Sequence, residues 1–167
     1  GEMMFHTTTM SSPVGELRLI AGDHGLRAIL WGAEDAERIA SVDGDELVEG
    51  STPVLEEAIV QLDEYFAGTR SDFDLPLDPA GTAFQQSAWM VLRTIPYGKT
   101  ISYGQQAEQL GDPNKARAVG AANGKNPLSI VVPCHRVIGS TGHLTGFAGG
   151  LDVKSWLLDH ERQQRLI

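Results

Sequence analysis

The segment "TRSDFDLPLDPAG", residues 69–81, most constrains what this chain can fold into. Pro, Asp and Gly crowd it, so neither a helix nor a central strand runs through it. It divides the 167 residues into two halves with different hydrophobic patterns, and the boundary is expected near Gly81, with domains over 1–80 and 81–167. Ahead of it, "GELRLIAG" sets Leu17 and Leu19 against Glu16, Arg18 and Ile20, and "LRAILWG" follows the turn signal "GDHG". Both predict strands. Residues 33–52 are acidic and aperiodic and predict a loop or weak helix. "PVLEEAIVQLDEYFAG" places Leu55, Ile59, Leu62 and Phe66 on one helical face, opened by Pro53 and closed by Gly68. The first half therefore reads as an α/β domain.

The second half reads as mostly α-helical. Thr82 and Gln85 form a capping box, followed by the apolar stripe Phe84, Ala88, Val91 and Ile95. "PYGKT" breaks that helix. Ser102 and Gln105 form a second capping box opening "YGQQAEQL", which Gly111 ends, and Asp112 with Pro113 starts "NKARAVGAANG". Residues 102–124 thus spell helix, short turn, helix, the arrangement whose second helix meets DNA. That second helix carries Lys115 and Arg117, with Lys125 just beyond it, among the small residues Ala116, Ala118, Gly120, Ala121 and Ala122. Small side chains let a backbone approach a groove; they also allow tight packing on a neighbouring helix, with Ala116 and Val119 inward. Both readings hold on different faces. "IVV" at 130–132 predicts a buried extended segment, and "GSTGHLTGFAGGL" a glycine-rich loop. Asp152 is expected to cap a last helix with Val153, Trp156, Leu157 and His160 on one side, and Trp31, Trp89 and Trp156 are expected in the core.

Charge separates the halves again. Residues 1–80 hold 17 acidic and 4 basic residues, whereas residues 81–167 hold 5 acidic and 9 basic ones. The net charge of −9 alone argues against a nucleic-acid partner; its distribution leaves the second half able to attract phosphate. No apolar run of about 18 residues exists, so nothing is expected to span a membrane. No secretory leader pattern opens the chain, so a cytoplasmic location is expected. Gly1 and Glu2, ahead of Met3 and Met4, are given no meaning. One cysteine permits no internal disulfide and no Cys-rich zinc site. HExxH and the GxxxxGK[ST] phosphate cradle are both absent, so neither metal nor cofactor is expected.

That cysteine stands in "IVVPCHRVIG". A thiol attacks as thiolate, so Cys134 needs a base or a cation beside it. His135 is the adjacent candidate, but neighbours in extended backbone face opposite ways; contact needs a turn, which Pro133 favours. A carboxylate orienting the histidine would complete the set, and Glu161 on the last helix is far enough along to fold back. Arg136 is open between lowering the thiol pKa and binding a carboxylate or carbonyls. Buried free cysteines are more often inert than reactive, so these residues alone do not decide the matter.

The ordered motifs do more. "FQQSAW", "IPYGKTISYGQQAEQLG", "ARAVGAANGKNP", "VVPCHRVIG", "GFAGG" and "KSWLLDHE" follow one another over residues 82–161. In this the chain resembles the O6-alkylguanine-DNA alkyltransferases, whose less distinctive first domain fits "SSPVGELRLIA" and "LDEYFAG". The resemblance implies a ribonuclease-H-like first domain and a helix-turn-helix in the second. It implies direct-reversal repair, with one irreversible transfer of an alkyl group from guanine O6 to the protein after base flipping. By that resemblance Cys134 matches the acceptor and His135 the base acting through a water, with Glu161 orienting it. Asn126 ties the helix-turn-helix to the active-site segment, and Tyr103 donates to the leaving purine. Arg117 takes the space of the flipped base, with Lys115, Ala118, Ala121 and Lys125 at the DNA. Tyr103, Val137, Phe147, Ala148 and Gly149 form the substrate pocket. The implied partner is double-stranded DNA carrying O6-alkylguanine, met in the minor groove with little sequence preference by a protein monomeric when free and at the nucleoid when on DNA. The family often has tyrosine where Phe147 stands, and some members have serine at Ala148. Members that carry zinc through first-domain cysteines have no counterpart in this chain. The alternatives are a lesion sensor that recruits other factors without chemistry, and a Cys–His hydrolase.

Overall fold

The computed structural model describes residues 4–32 and 46–165. It divides into two compact units, Gly1–Ala80 and Gly81–Ile167.

The first unit is a four-stranded sheet with one described helix. Strands β1 (Met4–Met10), β2 (Leu17–Gly22), β3 (Gly25–Trp31) and β4 (Glu46–Glu49) lie in the order β3-β2-β1-β4. β1, β2 and β3 pair antiparallel; β4 pairs parallel with β1. "GDHG" is a hairpin in which Gly22 pairs with Gly25. Gly25 has φ +135°, and a Cβ there would meet the Pro76 carbonyl at 2.5 Å. That close approach lets Leu26 N donate to Pro76 O at 2.8 Å and Asp78 N to Leu26 O at 2.9 Å, drawing the end of the domain back along β3.

Three details differ from the sequence reading. Leu17 and Leu19 are buried, but so is Ile20, which joins Phe5, Ala28 and Leu30 in a core cluster. β3 is buried throughout, so alternation fails where both faces are covered. Of the loop or weak helix expected over 33–52, residues 33–45 lie outside the described residues, and 46–49 are strand β4. Its pairing with β1 is remote in sequence, and its edge position lets Glu46 and Glu49 stay exposed. Helix α1 (Pro53–Phe66) begins at Thr52, whose side chain accepts from Leu55 N, with Pro53 in the first turn. Its inward face is Leu55, Ala58, Leu62 and Tyr65; Ile59 and Phe66 are only half-buried. Each of those leucines contributes about 1.5–3 kcal/mol by burial. Gln61 is buried with them because its amide pairs with the Asp74 backbone in both directions, at 3.0 and 2.9 Å.

The second unit is helical apart from one short ladder. Both capping boxes form, at the start of α2 (Ala83–Leu92) and of α3 (Tyr103–Gln109). α2 buries Ala88, Trp89 and Leu92, while Phe84 and Val91 are half-buried. The Trp89 indole donates to Ala122 O at 2.8 Å. Asp112 caps a 3₁₀ turn, Pro113–Lys115, rather than the helix itself; α4 (Ala116–Gly124) follows without a side-chain cap. Gln106 and Asn123 exchange amide hydrogen bonds at 3.0 and 2.8 Å, joining α3 to α4. Residues 130–132 are buried but not extended; they turn, and Ile130 has φ +77°. After a 3₁₀ turn at Cys134–Arg136, β5 (Ile101–Ser102) and β6 (Val137–Ile138) pair in parallel. In α5 (Leu151–Arg165), Asp152 lies inside the first turn instead of capping it. Trp31 and Trp89 are buried as expected, but Trp156 is half-buried, stacked on His160 at 4.8 Å. No described helix is long and apolar enough to cross a membrane.

Candidate active site

The turn after α4 builds the site. Asn126 is buried and clamps residues 126–132: its Nδ2 donates to Val132 O at 2.8 Å, and its Oδ1 accepts from Leu128 N at 3.0 Å. Val132 N also donates to Leu128 O at 2.9 Å. This bonding holds Ile130 in the left-handed region, a conformation costing on the order of 1–3 kcal/mol for a β-branched residue. Pro133 then leads directly into the 3₁₀ turn that carries Cys134, His135 and Arg136. The turn replaces the extended backbone in which adjacent residues would face opposite ways.

Cys134 is buried, at 8% exposure, and is a free thiol. His135 is wholly buried, with Nε2 2.6 Å from Glu161 Oε2. Arg136 grips the same carboxylate with two donors, Nε to Oε1 at 2.9 Å and Nη2 to Oε2 at 3.1 Å, while Nη1 donates to Ile95 O at 2.7 Å. Gly98 N adds a contact to Oε1 at 3.2 Å. Burial by itself would raise the Glu161 carboxyl, but His135 and the Arg136 guanidinium outweigh it and hold the group well below the usual carboxylate range. Burial pulls His135 below its ordinary value; Glu161 opposes that, and Arg136 and Lys154 add to it. The pair is therefore a carboxylate and a neutral imidazole. With its Nε2 proton directed at Glu161, His135 keeps a lone pair on Nδ1, which is buried and has no hydrogen-bond partner among the described residues. A neutral, oriented imidazole next to a thiol can take its proton.

Two cavities share part of their lining, and the smaller reaches this turn. The larger, about 630 Å³, is lined by Tyr103, Arg117, Gly120, Gly124, Phe147 and Ala148 among others. The smaller, about 10 Å³, lies against Cys134, Asn126 and Phe147, with room for one water-sized group. Tyr103, Phe147 and Ala148 line both, whereas Val137 and Gly149 line neither. Val137 is instead buried in β6 opposite Ile101. On α4, Val119, Ala122 and Asn123 face inward, and Arg117, Ala118 and Ala121 are exposed, as are Lys115 and Lys125 at its ends. Lys115 Nζ sits 5.6 Å from the Phe84 ring centre.

Of the roles open to Arg136, binding a carboxylate and a carbonyl is the one that forms, with Glu161 and Ile95. Sequence reasoning missed two neighbours of the site. Thr145 meets the Tyr103 hydroxyl at 2.7 Å. Lys154 is completely buried, and its Nζ donates to Thr145 O at 3.0 Å. One signal was available: Lys154 precedes Glu161 by two helical turns, so an inward Glu161 implies an inward Lys154.

A buried cysteine beside a histidine–carboxylate–arginine network, opening on a cavity next to a small-residue helix, is the layout of a group-accepting thiol. The comparisons with known proteins agree with a particular kind. Residues 5–79 match the family model for the 6-O-methylguanine DNA methyltransferase ribonuclease-like domain, and residues 83–163 that for the DNA binding domain of the same proteins. A methylated-DNA–protein-cysteine methyltransferase of Mycobacterium leprae is 47% identical over 166 residues, 98% of this chain and 96% of that protein. One of Shigella flexneri is 49% identical over 162 residues, 91% and 92% of the two chains. The crystal structure of Mycobacterium tuberculosis OGT in complex with DNA superimposes with a TM-score of 0.83 at 45% identity, covering 95% of this chain and 94% of that one. The chain belongs to the O6-methylguanine-DNA methyltransferase family.

Proposed function

We propose that this protein repairs alkylated DNA by direct reversal, moving the alkyl group of O6-alkylguanine onto Cys134 once per molecule. The observation that carries this reading is the buried Cys134 beside His135, whose Nε2 is fixed by Glu161 and whose Nδ1 is left as an acceptor. His135 Nδ1 takes the thiol proton through a water. The sulfur attacks the alkyl carbon, the S–C bond forms, and the C–O6 bond breaks with its electron pair passing to the purine. Tyr103 donates to that purine, which lowers the barrier to its departure. A thioether offers no easy hydrolysis, so the acceptor is spent.

The reacting carbon is hidden within a base stack, so the nucleotide must be turned out at a cost of roughly a few kcal/mol. We assign the larger cavity to the flipped base and the exposed Arg117 to the space it leaves. In this reading α3, the turn and α4 are a helix-turn-helix, Ala118 and Ala121 let α4 close on the minor groove, and Lys115 and Lys125 meet phosphates. Minor-groove docking suits a protein with little sequence preference. The first unit is taken as a ribonuclease-H-like domain, and the free protein as a monomer that a DNA substrate would hold at the nucleoid. Phe147 walls the pocket without the hydroxyl of a tyrosine, and the Ala148 N–H serves the guanine oxygen.

Intact mass spectrometry after mixing with an O6-methylguanine duplex tests this. One methyl group per protein, absent in Cys134→Ala, is expected. Binding without an adduct would instead make the protein a lesion sensor, and loss of substrate with unmodified protein a hydrolase. Arg117→Ala is expected to weaken salt-dependent duplex binding; wild-type binding and transfer in that variant would remove the arginine from its role.

A further inference from the structure

Lys154 and Thr145 have no part in the steps above, yet both lie against Tyr103, which does. Lys154 is fully buried, and among the described residues no carboxylate pairs with it. Its Nζ donates to Thr145 O at 3.0 Å and lies 5.9 Å from the centre of the Tyr103 ring. An ammonium withdrawn from water without an anion is among the costliest groups to bury. Burial pulls Lys154 below its ordinary value, and the negative charge of Cys134 works in the opposite direction. Tyr103, whose ring Lys154 approaches, lines the smaller cavity together with Cys134, so the sulfur is the nearby group that an ammonium can favour as an anion. The Thr145 hydroxyl, on the residue whose carbonyl Lys154 holds, is 2.7 Å from the Tyr103 hydroxyl, and either can donate. When Thr145 donates, the phenol oxygen accepts, and the phenol proton is free to point into the cavity that both residues line. A donor whose own oxygen accepts a hydrogen bond gives up its proton more readily.

We propose that Lys154 and Thr145 are positioning residues serving both ends of the transfer: the Lys154 ammonium favours the anionic sulfur of Cys134, and the Thr145 hydroxyl, fixed by Lys154, directs the Tyr103 proton at the departing purine. This rests on Cys134 being the alkyl acceptor. The thiol proton passes to His135, the S–C bond replaces the C–O6 bond, and the purine receives the released electron pair beside the Tyr103 donor. The titratable and charged groups facing Lys154 are Cys134 and His135 on the 3₁₀ turn and Tyr103 on α3, with Arg136 and Glu161 beyond His135. Lys154 disfavours a charged His135, so it helps to keep the base neutral and ready.

Two readouts on the full chain separate these effects. Reaction of Cys134 with iodoacetamide reads the thiolate without DNA, and single-turnover methyl transfer from an O6-methylguanine duplex reads the whole step. Lys154→Met keeps the length and removes the charge; it is expected to slow iodoacetamide about tenfold at neutral pH and to move the pH profile upward. Thr145→Val is expected to slow methyl transfer about tenfold with the iodoacetamide rate kept, and Thr145→Ser to restore it. A Lys154→Met protein that keeps its melting temperature and its iodoacetamide pH profile overturns the role of the lysine. Should that variant not fold, Lys154→Gln makes the same comparison. Thr145→Ser as slow as Thr145→Val overturns the role of the hydroxyl. If the unaltered protein takes no methyl group, the acceptor reading is what fails, while the iodoacetamide series still decides whether Lys154 acts on the sulfur.

Discussion

The two units bury different chemistry. In the first, Phe5, Leu17, Leu19, Leu55, Leu62 and Tyr65 are closed off, and among the described residues the buried polar side chains are few: Thr7, Arg27 and Gln61. In the second, His135, Arg136, Lys154 and Glu161 are buried beside Gln106, Asn123 and Asn126. An apolar interior is non-directional and tolerates repacking. A buried polar network is held by directed bonds between particular atoms, so it fixes their positions. The first unit is therefore built for cohesion, whereas the second accepts a less stable interior to hold one sulfur, one imidazole and one carboxylate in register. Charge divides the halves as well: residues 1–80 hold 17 of the 22 acidic residues, and the candidate site lies in the other unit.

Removing one partner of the network should have the largest effect. Glu161→Ala leaves Arg136 buried without its carboxylate, and a loss of about 4 kcal/mol in denaturant unfolding is expected. A loss under 1 kcal/mol would mean that the network contributes no more than an exposed ion pair. Leu62→Ala should cost about 3 kcal/mol through the cavity it leaves, yet leave iodoacetamide reactivity at Cys134 as it was. Altered thiol reactivity there would break the division of labour.

Acid should act on the network in two stages. The folded protein disfavours a protonated His135, so below its ordinary value of 6.5 the unfolded chain binds a proton that the folded one refuses, and stability falls. Glu161 is held low in the folded state; its contribution is complete above 4.5 and is lost as pH drops further. Melting temperature followed from neutral to acid pH should decline in both ranges, and Glu161→Gln should remove the lower decline. Thr82→Ala is the mildest change, expected to cost about 1 kcal/mol through the lost cap of α2. A cost several times greater would show that α2 depends on its cap more than on Trp89.

What was legible in the sequence was local. Both capping boxes, the glycine stop at Gly111 and the turn "GDHG" rest on contacts within a few residues, and each formed as read. What failed depended on distant partners. β4 exists because β1 lies beside it, and nothing in "ELVE" announces that. "IVV" looks like a strand by composition, but the Asn126 clamp bends it into a turn. Trp156 was expected inside because of its size, although a ring stacked on His160 is satisfied half-buried. At the candidate site, "IVVPCHRVIG" by itself left Cys134 open between an inert thiol and a nucleophile, and only the ordered motifs over residues 82–161 pointed to an acceptor. Lys154 went unread, because a lysine on a helix is read as surface unless its neighbours on the same face are known to point inward.

Cys134 is the one cysteine of the chain, and it is nearly closed to solvent. Each molecule therefore carries its own record, a free sulfhydryl before it has acted and a thioether afterwards. A colorimetric sulfhydryl count on the opened chain measures how much of a preparation is still fresh, with no background from other sulfhydryls to subtract.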